Sequence, residues 1–292
     1  MHDLRYHLFY LTAIFLMLGV GILFGSSQVG LDQVRRQGRS IAALRVEADK
    51  VSQERDQVRD RLAKDEDILG TLRPKLVRGK LAGQRVVLIQ TGVYLDAAES
   101  ATTALSDAGA TVVATVALSD KWKTLTPRRR DALAAIAPAS DPAAQDTALL
   151  TALASAMTTG TDAAGPSTDA LAALQSQGLV TVTGDLSQPC RLFVLIGGSR
   201  DDGSLNSLEG SLLEAFRTVL GPVTLVGCEP FVADISSIPV YQKVGISTID
   251  CIDQPLGQLA LPFALRGDLG DYGLKPTAKQ QLPSSLGGEA SP

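Results

Sequence analysis

The sequence predicts an α/β protein laid out in series: an N-terminal transmembrane helix and a coiled-coil helix, followed by a doubly wound, mostly parallel sheet domain. Three observations carry this reading. Tyr6 to Gly30 contains no formally charged residue with His7 neutral, apolar residues recur in heptads between Val34 and Leu72, and beyond Arg85 short apolar runs alternate with helical stretches. The expected divisions are an anchor over 1–30, a coiled coil over 31–77, an α/β domain over 78–272 and a flexible tail over 273–292.

The anchor rests on length. Leu8 to Phe24 is almost wholly apolar, and its 17 residues at about 1.5 Å each reach ~26 Å, which the uncharged flanks extend to the roughly 30 Å of a hydrocarbon core. A cleaved signal peptide would have a shorter apolar core and a small-x-small cleavage site, whereas here the chain continues through Gly25-Ser26-Ser27-Gln28. An uncleaved, single-pass signal anchor is therefore expected. Gly21 and Gly25 form a G-x-x-x-G spacing, a weak signal on its own. Arg35, Arg36, Arg39 and Arg45 after the span favour a body kept on the cytoplasmic side, while the very short leading tail with Arg5 resembles an exported anchor. Charge alone leaves the side open.

The rod follows from a repeat of seven. Val34, Ile41, Ala48, Arg55, Leu62 and Leu69 occupy one position, and Gln37, Leu44, Val51, Val58, Asp65 and Leu72 follow each by three, so nine of the twelve are apolar. This is an a/d seam whose apolar members include Val34, Ile41, Leu44, Ala48, Val51, Val58, Leu62 and Leu69, with charged residues crowding the other positions. The reading is a parallel homodimer, since both chains start at one membrane; the alternative is a single amphipathic helix lying on the body. Arg55 and Asp65 would weaken the seam and fix its register. Pro74 is expected to stop the helix.

The body is read from runs at Val86–Gln90, Thr111–Ala117, Leu179–Thr183, Leu192–Ile196, Val223–Val226 and Gly245–Ile249, with helical segments at Ala97–Ala108, Pro127–Ala137, Thr147–Met157, Thr168–Gln177, Leu205–Leu220 and Gln254–Ala264. Short buried strands alternating with helices make a mostly parallel sheet covered on both faces. Gly79–Arg85 reads as a polar hinge, and Pro138–Gly165 as a looser, partly helical insertion. Ligands in such folds sit beyond the carboxyl ends of strands. The ends of the first and fourth strands supply the candidate ligand-binding residues Thr91, Gly92, Asp96, Gly197, Gly198, Ser199 and Arg200, with Asp96 expected to cap the next helix. Neither turn is a nucleotide-binding motif, and turn geometry alone accounts for such glycines.

Composition removes several chemistries. The only histidines, His2 and His7, precede the apolar run Leu8–Phe24, so the body lacks the imidazole that a Ser-His-Asp or Cys-His apparatus or a His-containing zinc site requires. No catalytic residue is assigned and no enzyme activity is expected. Cys190, Cys228 and Cys251 form no C-x-x-C pair and border apolar runs, which reads as three buried small hydrophobes. Cys228-Glu229 has no base beside it, and Asp201 with Asp202 or Asp250 with Asp253 read as solvated loop acids. No metal ligand set is assigned. With 27 Lys+Arg against 31 Asp+Glu there is no basic excess for nucleic acid.

Leu4-Arg5-Tyr6-His7 entering an anchor that ends Gly19-Val-Gly-Ile-Leu-Phe-Gly25-Ser26, then a heptad rod, a first strand Val86-Val87-Leu88-Ile89 and a terminal Gly270-Asp271-Tyr272-Gly273, together resemble the MctB/SteB family. The resemblance runs from residue 1 to about 283, and the order of the parts carries more weight than any one motif. That family takes its name from a mycobacterial copper transport protein, and its corynebacterial SteB members are linked to cell separation. The resemblance implies an envelope protein in the cell membrane, its body outside the cytoplasm, partnering a SteA-type membrane protein. Copper enters as a cofactor or cargo through this resemblance only. The sequence has no Met-x-x-Met, Cys-x-Cys or His-rich tract and neither a helical pore nor barrel-like alternation, so any copper transport would be indirect. A non-enzymatic scaffold or regulator comes first, copper homeostasis second and a small-ligand or enzymatic α/β domain third.

Overall fold

The computed structural model describes residues 3–138, 141–162, 165–200, 204–219 and 222–287, and the chain divides into two compact units, Met1–Asp65 and Glu66–Pro292. The described residues of the first unit belong to helix α1 (Asp3–Val77). From Tyr6 to Gly25 no side chain is buried, and this stretch is long and apolar enough to cross a membrane. A core helix of a soluble protein would bury such residues. Ile41, Leu44, Ala48, Val51, Val58 and Leu62 of the heptad seam are exposed as well. Val34 lies outside the residues whose side chains are described.

α1 does not stop at Pro74 but continues to Val77. Proline removes one helical N–H and crowds the carbonyl four residues earlier, a cost of about 3 kcal/mol in a helix interior. Near the end of the helix, tertiary contacts offset it. Arg73 donates from Nε (3.1 Å) and Nη2 (2.7 Å) to Asp107, and Val77 is fully buried.

The second unit is an α/β body. In order it contains β1 (Arg85–Gln90), α2 (Leu95–Asp107), β2 (Thr111–Leu118), a 3-10 turn (Asp120–Thr124), α3 (Pro127–Leu133), α4 (Pro142–Thr159), α5 (Pro166–Ser176), β3 (Val180–Gly184) and β4 (Leu192–Ile196). It continues with α6 (Ser204–Thr218), β5 (Thr224–Cys228), α7 (Ile238–Val244), β6 (Ser247–Ile249), α8 (Pro255–Leu265) and β7 (Asp271–Tyr272). The strands form one seven-stranded sheet in the order β3-β2-β1-β4-β5-β6-β7. Every pairing is parallel except β2 with β3. Alternation along β1 separates two cores: Val87 and Ile89 pack with Leu149, Leu153, Leu213 and Phe216 from α4 and α6, while Val86 and Leu88 pack with Ala101, Leu105 and Leu261 from α2 and α8. The sheet is therefore covered on both faces, as the sequence predicts.

Four readings of the sequence change. Gly79–Arg85 is a packed turn and not a free hinge, because Leu81 is buried and its N–H donates to Ala108 O at 2.9 Å, while Gly83 N donates to Gly109 O at 3.2 Å. The stretch from Pro138 to Gly165 contains the 18-residue helix α4, capped by Asp141, which accepts from Ala144 N at 2.8 Å. Its Leu149, Leu150, Leu153 and Met157 are fully buried, so it is core and not a loose insertion. Helix α7 and strand β7 were not anticipated. Finally, the chain from Gly273 to Gly287 folds back on the body: Gly273 N donates to Gln280 O at 3.1 Å, and Leu282 and Leu286 join the α2–α8 core. Many of its attachments are polar groups meeting carboxylates, from the backbone of Leu274 and Lys275 and the side chains of Lys275, Thr277, Lys279 and Ser285, which hydropathy does not register.

Because α4 is core, Leu153→Ala will destabilise the body by about 2–5 kcal/mol in chemical denaturation, whereas Leu95→Ala, at a side chain 73% exposed, will change it by less than about 0.5 kcal/mol. A near-neutral Leu153→Ala would restore the loose-insertion reading.

Candidate functional site

The strand order reverses between β1 and β4, the chain winding outward to β3 on one side and to β7 on the other. This is the topological switch point, where an open α/β sheet offers a crevice for ligands. The structure brings Thr91, Gly92, Gly197, Gly198, Ser199 and Arg200 together there. Thr91 N and Gly92 N both donate to Ile196 O, at 3.0 and 3.2 Å. A Cβ on Gly92 would stand 2.6 Å from the carbonyl oxygens of Gly197 and Gly198, so close backbone approach requires this glycine. Gly198 itself has φ +89°.

The space below is filled from within. A Cβ on Gly197 would collide with the Tyr241 hydroxyl and lie 2.5 Å from Glu209 Oε1 and 2.7 Å from Ser237 Oγ, and one on Gly227 would collide with the Tyr241 ring. Tyr241 of α7 and Glu209 of α6 thus occupy volume that side chains on β4 and β5 leave free. Glu209 accepts a short hydrogen bond from Thr91 Oγ1. Neither Glu209 Oε2 nor the Tyr241 hydroxyl has a hydrogen-bond partner among the described residues. Burial pushes the Glu209 carboxyl up, with nearby Glu229 adding to the rise and the Thr91 hydrogen bond opposing it. Burial likewise drives the Tyr241 hydroxyl well up.

A second buried acid closes the network. Glu229, fully buried after β5, accepts from Ser236 Oγ (2.9 Å), Ser237 N (2.7 Å) and Lys275 Nζ (2.7 Å). Ser237 Oγ in turn accepts from Gly198 N at 2.9 Å. The switch-point loop is thereby connected through Ser237 and Glu229 to Lys275 in the C-terminal segment. Asp250, buried after β6, accepts from Leu274 N (2.8 Å), Lys275 N (3.1 Å) and Thr277 Oγ1 (3.0 Å), and Asp253 accepts from Phe231 N at 2.6 Å. These are structural acceptors and not solvated loop acids; Asp201 and Asp202 lie outside the described residues.

Asp96 does not cap α2. Tyr94 holds the N-cap position without a side-chain cap bond, and Asp96 sits exposed in the first turn. The rim it shares is apolar and aromatic: Val93, Leu95, Phe231 and Val232 are 51%, 73%, 45% and 61% exposed. Tyr94 joins the two loops by donating to Val232 O at 3.3 Å, and Arg200 stacks over the Tyr94 ring at 5.2 Å. Sequence reasoning missed both this rim and the buried floor. Glu209 carried a usable signal, since Leu212, Leu213 and Phe216 follow it by three, four and seven, placing a carboxylate on the apolar face of α6.

The three cysteines are buried and free. Burial raises the Cys228 thiol well above its ordinary value and pushes Cys251 up to about 12, with Asp250 adding to the latter. Thiolates, the form that ligates soft metals, are therefore disfavoured at both. Among the described residues no group of three or more His, Cys, Asp or Glu is placed to hold a metal ion.

Anchor, strand order and a switch point closed by its own side chains define the class: an apolar N-terminal helix carrying a Rossmann-like α/β body. Within that class the chain belongs to the MctB family, whose description is copper transport outer membrane protein and whose model matches residues 1–283. The Copper transporter MctB proteins of Mycobacterium bovis and Mycobacterium tuberculosis are each 25% identical over 307 aligned positions, covering 94% of this chain and 96% of theirs. The family is membrane-associated and is named for transport and not for an enzyme activity.

The raised Glu209 carboxyl gives a pH signature. The folded chain keeps this proton to a higher pH than the unfolded chain, which releases it near pH ~4.3. The stability contributed by neutral Glu209 is complete below that pH and is lost as pH rises toward the folded value. Gln does not titrate, so the melting temperature of Glu209→Gln relative to the parent will become more favourable from pH ~4 to pH ~8. A difference independent of pH, measured by circular dichroism, would mean that the carboxyl is not shifted.

Proposed function

We propose that the chain is a non-enzymatic, single-pass envelope protein that forms a coiled-coil dimer and positions or activates a partner at the membrane, its body outside the cytoplasm. One observation carries the reading: the apolar a/d seam of α1 is exposed along Ile41, Leu44, Val51, Val58 and Leu62, directly after an exposed apolar span. Exposed apolar stripes of this length are expected to be covered by a second helix. The exposed rim of Val93, Leu95, Phe231 and Val232 supports a protein partner, because its floor is already occupied by Tyr241 and Glu209. A SteA-type membrane partner and a role in cell separation belong to this proposal on the strength of the sequence resemblance.

Copper handling is the second reading, favoured by the family description and by the name of the mycobacterial relatives. The chemistry of the donor groups supports an indirect part in it. Cu(I) takes thiolate, thioether or imidazole ligands, and here the thiols are buried and proton-holding while the histidines are His2 and His7. The sheet also supplies no barrel, being covered on both faces.

Deleting residues 34–72 from the full chain in detergent will halve its mass in light scattering; an unchanged mass would sink the dimeric scaffold. Equilibrium dialysis with Cu(I) will show the full chain binding no more tightly than its triple Cys→Ser variant. Tight binding lost in that variant would make the chain itself a copper carrier.

A further inference from the structure

The heptad seam carries information about its partner beyond being apolar. On the exposed face of α1, Leu44, Glu47, Ala48, Val51, Ser52 and Arg55 line a shallow, open depression. In the heptad these are positions d, g, a, d, e and a, the composition of a hole that receives a knob from another helix. The flanking charges, all exposed, are also ordered. With Arg55 and Leu62 at a, Glu54 and Arg61 fall at g while Arg59 and Glu66 fall at e. In a parallel, in-register pair each g residue faces the e residue five positions later on the other helix.

We infer that α1 pairs with a second copy of this chain in parallel and in register, Glu54 of each copy meeting Arg59 of the other and Arg61 meeting Glu66. This rests on the parallel dimer reading given above and adds its register and the charge pairs that set it. Both contacts join opposite charges, and the same rule pairs Glu47 with Ser52, so no like charges meet at these flanking positions; at the seam itself Arg55 and Asp65 each face their own copy. Within its own helix Glu54 makes an exposed contact to Lys50 at 3.8 Å, which is easily exchanged.

Orientation has an independent argument. The span Tyr6–Gly25 lies at the start of the same helix. Antiparallel pairing over 34–72 would set two spans at opposite ends of a rod about 58 Å long, beyond the roughly 40–45 Å thickness of one bilayer. Register has another. In register, Arg55 shares one layer with its own copy beside Glu54 of the partner helix. A slip of one heptad would set each Arg55 against Ala48 or Leu62 and spoil two apolar layers instead of one.

The test is charge exchange in the full chain in detergent, with the dimer dissociation constant read by sedimentation and helicity by circular dichroism. Glu54→Lys and Arg59→Glu will each weaken the dimer about tenfold, and the Glu54→Lys/Arg59→Glu double variant will recover the parent value to within about twofold. Rescue of Glu54→Lys by Arg61→Glu in place of Arg59→Glu would overturn the orientation in favour of antiparallel pairing. A parent dimer indifferent to all these changes would overturn the register while leaving the dimer standing. A monomeric parent chain would overturn the dimer reading itself.

Discussion

A fully buried carboxylate has to be met by a cation or by several donors, and the carboxyl-terminal edge of the body is organised around that demand at Glu229. Lys275 reaches it from beyond the last strand, and Ser236 and Ser237 reach it from the turn that starts α7. Those two serines fix where α7 begins, and α7 delivers Tyr241 under Gly197 and Gly227. Ser237 also receives the Gly198 N–H and so holds the loop after β4. One buried side chain thereby ties together the C-terminal segment, the seventh helix and the switch-point loop. This explains why the last part of the chain, polar and poor in apolar residues, nevertheless belongs to the folded body.

The same arrangement decides what kind of site the switch point is. Nucleotide-binding α/β folds use glycines there to let a phosphate approach the backbone. Here Gly92 admits the carbonyls of Gly197 and Gly198, and Gly197 and Gly227 admit the Tyr241 side chain. Protein atoms occupy the room these glycines create. What faces outward is the rim of Val93, Leu95, Phe231 and Val232, with Arg200 held against Tyr94. The apolar, partly aromatic rim with one planar cation is the feature on which the proposed protein partner rests.

Legibility in the sequence follows the physical origin of each feature. Elements driven by burial were readable: the anchor by uninterrupted apolarity, β1 and β4 by runs with no polar break, and the switch-point loops by the glycines and polar residues that end those strands. Elements driven by polar contacts were not. The α7 segment Ile238-Pro-Val-Tyr-Gln-Lys-Val244 is too short for its periodicity to stand out, and the two-residue β7 exists because Asp271 and Tyr272 pair with Thr248 and Ile249. Asp250 looked like a loop acid because its three donors come from residues 24 to 27 positions later. Pro74 failed as a stop because Arg73 and Val77 find partners in the body that no local rule anticipates.

The heptad register also constrains the anchor. Carried back along α1, it places Gly21 at b and Gly25 at f, both on the side of the helix away from a and d. From Gly25 to residue 34 is little more than one heptad, over which a straight helix drifts by only about 20°. The small-residue face of the span and the apolar seam of the rod therefore point in nearly opposite directions. A pair of chains joined along the seam cannot at the same time pack through Gly21 and Gly25, so the G-x-x-x-G spacing adds nothing to that association. In the proposed pair the affinity would come from the rod, in water, where apolar burial is a driving force that lipid does not supply.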